Sequence, residues 1–270
     1  VENEAEIASA LKADLGKPFA EACTAEIDLV SSEAALARKQ VARWSRPQRT
    51  STPLAIQPGK SFIESAPYGV TLIIGAWNYP FQLVLAPLVG AIAAGNCAVI
   101  KPSEMAVQSS ALLKRLVERY LDPRAFAVVE GDAAVSKALL DQQFDLIFYT
   151  GGERVGRIVM AAAARHLTPV VLELGGQNPC IVDETADLTV AARRIVWGRF
   201  LNAGQICVAP DHVYVAASVE ARLLDELKRA VTTMFGADPR QSPDYGRIIN
   251  ARHAARLQSL LADGRAVIGG

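Results

Sequence analysis

Cysteine, histidine and aromatic residues are all scarce in this chain of 270 residues, which has four Cys, three His and an aromatic fraction of 6%. The cysteines at 23, 97, 180 and 207 form no C-x-x-C unit, so neither a zinc ribbon nor a dithiol redox pair is suggested and no metal is expected. They are too few for a disulfide scaffold, which favours a reducing, cytoplasmic setting. His166, His212 and His253 make no H-E-x-x-H or H-x-x-x-H pair. Net charge is also missing. The 28 Lys+Arg balance 28 Asp+Glu, which argues against nucleic-acid binding through a bulk basic field and leaves local basic pockets possible. No apolar stretch reaches the ~18–20 residues of a membrane span; residues 70–94 come closest and are interrupted by Asn78, Pro80 and Gln82. The opening Val1-Glu2-Asn3-Glu4 has no cationic start or apolar run, so no signal peptide is expected. Both ends read as cut, since Val1 is not an initiator Met and the chain stops at Ala266-Val267-Ile268-Gly269-Gly270, inside an element.

What is present is an ample core-forming fraction, 51% hydrophobic against 21% charged, on a length that suits two average domains or one large α/β unit. Residues 4–15 and 19–44 predict amphipathic helices, the first stopped at Gly16. Residues 46–52 predict a loop, and 53–65 a hairpin about Pro58-Gly59-Lys60. From Gly69 onwards, apolar strand-like runs at 70–76, 97–101, 126–129, 145–149 and 170–174 alternate with helical segments at 81–94, 105–121, 133–141 and 153–164. Pro80 suits the first turn of its helix and Ser103 can cap the next. Short, continuously apolar strands alternating with helices predict a doubly wound, Rossmann-like parallel sheet covered on both faces, with ligands at the strand C-terminal edge. A second α/β region follows: a helix near 188–200, a loop at 202–207, a strand at 212–216 and a helix near 219–235.

The unusual polar residues fall along that edge. Gly151-Gly152-x-x-x-Gly156 opens a helix directly after a strand, where free N–H groups suit a diphosphate; glycines for tight strand–helix packing explain it equally well. Lys101 and Glu104 share a turn after another strand, where a carboxylate can accept from ribose hydroxyls, or where the pair is only a solvated ion pair. Glu173 ends an apolar strand before two glycines, a costly place for a carboxylate unless hydrogen-bonded, so it is either a general base or a structural cap. Cys207 stands in a Gly- and Asn-containing loop where a thiolate can be exposed, unlike Cys23, Cys97 and Cys180, which read as inert buried hydrophobes. Asn78 is either an amide donor to an oxyanion or a turn former before Pro80.

Five segments taken together resemble one family. Trp77-Asn78-Tyr79-Pro80-Phe81, Lys101-Pro102-Ser103-Glu104, Tyr149-Thr150-Gly151-Gly152, Leu172-Glu173-Leu174-Gly175-Gly176 and Gly204-Gln205-Ile206-Cys207 stand in the order of the NAD(P)-dependent aldehyde dehydrogenase superfamily. The gap of 34 positions from Glu173 to Cys207 (207 − 173) matches as well. Residues 89–96, His166-Leu167-Thr168-Pro169 and Ala209-Pro210-Asp211 are similar to the class 3 and fatty-aldehyde branch, which includes coniferyl-aldehyde-type bacterial enzymes. The resemblance covers residues 2–270. It implies a dinucleotide-binding domain over 1–174, with a hairpin near 53–66, and the first part of a catalytic domain over 175–270.

It further implies Cys207 as nucleophile, Asn78 with the Cys207 backbone N–H as oxyanion holders, and Glu173 as activator of the water that hydrolyses a thioester. Lys101 and Glu104 would grip the adenosine ribose of NAD or NADP, and Trp77, Thr150, Gly151, Gly152 and Gly156 would border the cofactor. Gly152 stands where the family often has Ser. The family's E-x-F-G-P motif, which anchors the nicotinamide ribose, is not found before residue 270, so a homodimeric parent enzyme and the activity of this chain are separate expectations. Class 3 relatives accept medium-chain and aromatic aldehydes. The competing readings are an acylating dehydrogenase passing the thioester to coenzyme A, a cysteine hydrolase using His212 or His253, and a non-catalytic binding fragment.

Overall fold

A computed structural model describes residues 2–262 and 264–267. The chain opens with a helical arm of α1 (Glu4–Leu15), α2 (Phe19–Ala22), a π-helical turn (Cys23–Ile27) and α3 (Asp28–Trp44). A short antiparallel ribbon follows, β1 (Gln48–Thr50) with β2 (Ser61–Ile63). The central part alternates β3 (Val70–Ile74), α4 (Gln82–Ala93), β4 (Cys97–Lys101), α5 (Val107–Tyr120), β5 (Phe126–Val128), α6 (Ala133–Leu140), β6 (Leu146–Thr150), α7 (Glu153–Ala164) and β7 (Val170–Glu173). The last part holds β8 (Asn178–Val182), α8 (Leu188–Phe200), β9 (Pro210–Val215), α9 (Glu220–Phe235) and α10 (Ala251–Leu261). Among the described residues no helix is long and apolar enough to cross a membrane.

The five central strands form one parallel sheet in the order β5-β4-β3-β6-β7. Alternation along β3 shows why both faces are covered. Ile73 packs with Val84 and Leu88 of α4 and Leu113 of α5, whereas Leu72 and Ile74 pack on the opposite face with Val159 and Ala163 of α7. Leu72 and Ile73 are fully buried, so truncating either to Ala would cost about 2–5 kcal/mol. The chain runs outward from β3 through β4 to β5, then returns to place β6 on the other side of β3. This reversal opens a crevice at the C-terminal ends of β3 and β6, the usual ligand position in such sheets. The parallel pair β8–β9 builds a separate apolar cluster, in which Val182, Ala192, Val196 and Leu223 are buried against one another.

The doubly wound sheet matches the expectation from sequence, and four local expectations do not hold. The hairpin expected over 53–66 pairs Gln48–Thr50 with Ser61–Ile63, while Leu54–Ile56 makes a single 3-10 turn; Pro53 and Pro58 lack the N–H that a ladder needs. The helix expected over 19–44 is interrupted by the π turn at Cys23–Ile27, which changes hydrogen-bond partners without changing residue type. Pro80 precedes the first turn of α4, which begins at Gln82. The Ser103 hydroxyl accepts from the Met105 amide, at 3.3 Å, ahead of α5, and the carboxylate of Asp14 instead receives the first-turn amides of α5, Gln108 at 3.1 Å and Ser109 at 2.8 Å. The element expected to be interrupted at 266–270 lies partly outside the described residues.

Candidate active site

The turn between β3 and α4 carries Asn78, and three residues from two separate segments hold it. Its backbone oxygen accepts from Asn202 Nδ2 at 2.8 Å and from Lys17 Nζ at 3.2 Å. Its side-chain Nδ2 donates to the backbone oxygen of Gln205 at 2.8 Å, leaving the second amide hydrogen for another acceptor. Lys17 is fully buried, paired with the equally buried Glu26 at 2.5 Å, and its ammonium lies 4.1 Å from the centre of the Tyr79 ring. Glu26 Oε2 accepts from the amides of Phe81 at 2.9 Å and Gln82 at 3.1 Å, at the entry to α4. Burial pushes the Glu26 carboxyl up from its ordinary range, against the opposing pull of Lys17.

Cys207 follows a left-handed turn in which Asn202, Ala203 and Gly204 have φ values of 51°, 53° and 77°. Asn and Gly tolerate this region, whereas Ala203 carries about 1–2 kcal/mol of strain there. Gln205 fastens the turn: its Nε2 donates to Asn202 O at 2.8 Å and Arg247 O at 3.0 Å, and its Oε1 accepts from Ile249 N at 3.0 Å. On the far side, Asn178 Nδ2 donates to Cys207 O at 2.8 Å and Ala209 O at 2.9 Å. Gly176 permits this approach, because a Cβ there would lie 2.5 Å from Cys207 O. Cys207 is exposed, while Cys23, Cys97 and Cys180 are free thiols that are half-buried rather than fully buried as expected. Cys207 and Asn78 line one cavity of about 1280 Å³ whose walls include Leu83, Trp197, Leu201, Val208, Met234 and Phe235.

Glu173 lies elsewhere than its sequence context suggests. It ends β7, the edge strand of the sheet, and is exposed rather than buried, since among the described residues no strand pairs on its outer side. It does not line the cavity with Cys207; the Gly175-Gly176 segment that follows it is what reaches the Cys207 loop.

The cofactor candidates gather along the C-terminal edge of the sheet, with Lys101 beside Ile74 and Ile74 beside Tyr149 in register. Lys101 is buried, donates to Pro102 O at 2.7 Å and pairs with the half-exposed Glu104 at 3.6 Å. Burial lowers its pKa below the ordinary lysine range, against the opposing effect of Glu104. Thr150 Oγ1 is buried without a hydrogen-bond partner, and among the described residues no side chain caps α7; the Val155 amide turns back to Gly152 O at 3.1 Å, which leaves the amides of Glu153 and Arg154 for a ligand. Gly156 serves packing, since a Cβ there would lie 2.9 Å from Leu174, and Gly151 packs under Tyr149. Gly152 has open space at the Cβ position, so its departure from Ser leaves room unfilled rather than a clash relieved. Trp77 lies against His253 of α10, with ring centroids 5.2 Å apart and the planes tilted by 37°. An unpaired hydroxyl, an uncapped helix start and a buried ammonium fit the diphosphate and ribose of a dinucleotide.

Residues 1–269 match the sequence profile of the aldehyde dehydrogenase family. The chain belongs to that family. Mouse aldehyde dehydrogenase family 3 member B1 is 47% identical over 269 residues, covering 100% of this chain and 58% of the mouse protein. The substrate-bound state of Staphylococcus aureus AldH superposes with a TM-score of 0.96 at 46% identity, covering 100% of this chain and 59% of that one. An E. coli enzyme described as NADP dependent superposes at 0.90 with 30% identity, covering 100% of this chain and 57% of that one. The chain thus spans about 58% of the length of the curated relatives it matches. Within this aldehyde dehydrogenase fold, sequence reasoning missed Lys17, Glu26, Asn178 and Asn202. The two asparagines stand in or beside the segments singled out from sequence; the Lys17–Glu26 pair left no signal, because Lys17 falls in the gap between two expected helices and Glu26 inside the second, where charges are ordinarily solvated.

Proposed function

We propose that the protein oxidises an aldehyde to a carboxylic acid with NAD or NADP. The observation that carries this reading is the shared cavity of Asn78 and Cys207, with the Asn78 amide bonded to the backbone two residues before the thiol. Cys207, as thiolate, adds to the carbonyl carbon, and the oxygen that gains charge is held by the Asn78 side-chain amide and the Cys207 N–H. The cofactor, when bound, supplies the hydride acceptor that turns the thiohemiacetal into a thioester. Glu173, which stands outside the Cys207 cavity but just before the Gly175-Gly176 segment that meets the Cys207 loop, would then take a proton from the water that attacks the thioester carbon, and the C–S bond breaks to return the thiolate. Lys101 and Glu104 hold the ribose, and Thr150, Gly151, Gly152 and the start of α7 receive the diphosphate, beside Trp77. The apolar wall around Cys207 supports a hydrophobic aldehyde.

Residues 1–174 would then bind the dinucleotide and 175–270 begin the catalytic domain, in a reducing compartment where Cys207 stays a thiol. The histidine-assisted hydrolase has no geometric support, since among the described residues no histidine lines the cavity. A binding fragment is the second reading, favoured by the position of Glu173 outside the cavity that holds Cys207. Stopped-flow detection of NADH with an aromatic aldehyde tests the proposal on the full-length protein. A burst abolished by Cys207→Ser is expected; NADH formation that survives the substitution, or cofactor binding with no NADH at all, would overturn it.

A further inference from the structure

Lys17 and Glu26 are buried charges that the reaction above does not use. Both are fully inaccessible, and they are 2.5 Å apart. A buried ion pair is seldom retained for stability, because desolvation offsets its attraction, so its partners deserve inspection. Those partners are specific. Lys17 Nζ reaches the Asn78 carbonyl at 3.2 Å and Glu26 Oε2 receives the amides of Phe81 and Gln82. The pair therefore grips both ends of the five-residue segment 78–82, while Tyr79 between them lies against the ammonium. The direction of a carbonyl is set by the ψ angle of its residue, so fixing Asn78 O also fixes the direction from which the Asn78 side chain leaves the backbone. Asn202 Nδ2 fills the second lone pair of the same oxygen at 2.8 Å. The remaining charged neighbour is Glu21, which is buried beside Lys17 and Glu26 and has one carboxylate oxygen without a partner.

We infer that the Lys17–Glu26 pair is a positioning device for Asn78, holding its amide where the oxyanion develops. This rests on the reading of Asn78 as an oxyanion donor. Pre-set donors matter because a misplacement of about 1 Å can cost on the order of 10²-fold in rate. The pair acts on the first half of the reaction and does not touch the aldehyde, so its loss slows the chemical step without weakening substrate binding.

Lys17→Met alone strands a buried carboxylate and can fail to fold, so the test uses Lys17→Met/Glu26→Gln, which removes both charges and keeps an acceptor for the amides at the start of α4. Burst kinetics of full-length wild type, the double variant, Asn78→Ala and the triple variant are compared, with burst amplitude reporting the folded, active fraction. The double variant is expected to lose about 10- to 10²-fold in burst rate at unchanged aldehyde KM. The triple variant is expected to burst no more slowly than Asn78→Ala. A double variant bursting at the wild-type rate, or an equal further loss in the Asn78→Ala background, would overturn the inference. Should the double variant not fold, Lys17→Arg takes its place: it keeps the charge and shifts the donor, and must lower burst rate in wild type while leaving Asn78→Ala unaffected. A wild-type enzyme that forms no NADH at all would overturn the functional reading itself, and this inference with it.

Discussion

The Asn78 side-chain amide donates to the Gln205 backbone oxygen at 2.8 Å, joining the turn after β3 to the loop that carries Cys207 across 127 positions of sequence. One amide hydrogen is committed to holding the two segments together, and the other is free for substrate. Asn78→Ala should therefore remove an oxyanion donor and loosen the Cys207 loop at once. The NADH burst of the full-length enzyme is expected to slow by about 10²–10³-fold. Rapid-mixing absorbance measures this directly; a burst within twofold of wild type would place the oxyanion elsewhere.

Cys207 is the exposed thiol, against three that are half-buried in β4, β8 and the π turn. Limited alkylation at neutral pH, followed by mass mapping, should modify Cys207 first and remove activity in step with it. Inactivation that instead follows Cys97 or Cys180 would contradict the assignment.

The Lys101–Glu104 turn bears on cofactor choice. A carboxylate beside the ribose 2′-hydroxyl repels a 2′-phosphate, but Glu104 is half-exposed and already paired with Lys101 at 3.6 Å, so a modest preference for NAD over NADP is expected in kcat/KM. Lys101 uses donors on Pro102 O and Glu104 and has a third available for ribose. Its pKa is lowered by burial, and the protonated form is the one with three donors and a charge. Cofactor affinity should therefore fall on the alkaline side earlier than an ordinary lysine would require. Titrating cofactor binding against pH checks this, and an affinity flat to pH values near 10.5 would separate Lys101 from the ribose.

The central sheet was legible because its strands are short apolar runs set between amphipathic helices, a local pattern that needs no knowledge of partners. Ribbon β1–β2 and strand β8 were not, since Gln48–Thr50 is polar and exposed and β8 opens on Asn178-Pro179, where the register with β9 shifts. Cys207 and Asn78 were singled out from their motifs, and the structure places both on one cavity. Lys17, Glu26 and the Asp14 cap stayed hidden for a common reason. A charge on an amphipathic helix, or in the turn between two helices, looks solvated until the element that buries it is known, and here that element lies 55 or more positions away. Glu173 shows the opposite error, because an apolar run suggested burial that an edge strand does not provide.

Separating the two halves of the reaction tests the central claim most directly. Glu173→Gln keeps shape and removes the base. In the full-length enzyme it should still release one NADH per site in a burst, followed by turnover slowed about 10²–10⁴-fold. A Glu173→Gln enzyme with wild-type steady-state turnover would contradict the water-activating role and the division of labour between Glu173 and the Asn78–Cys207 pair.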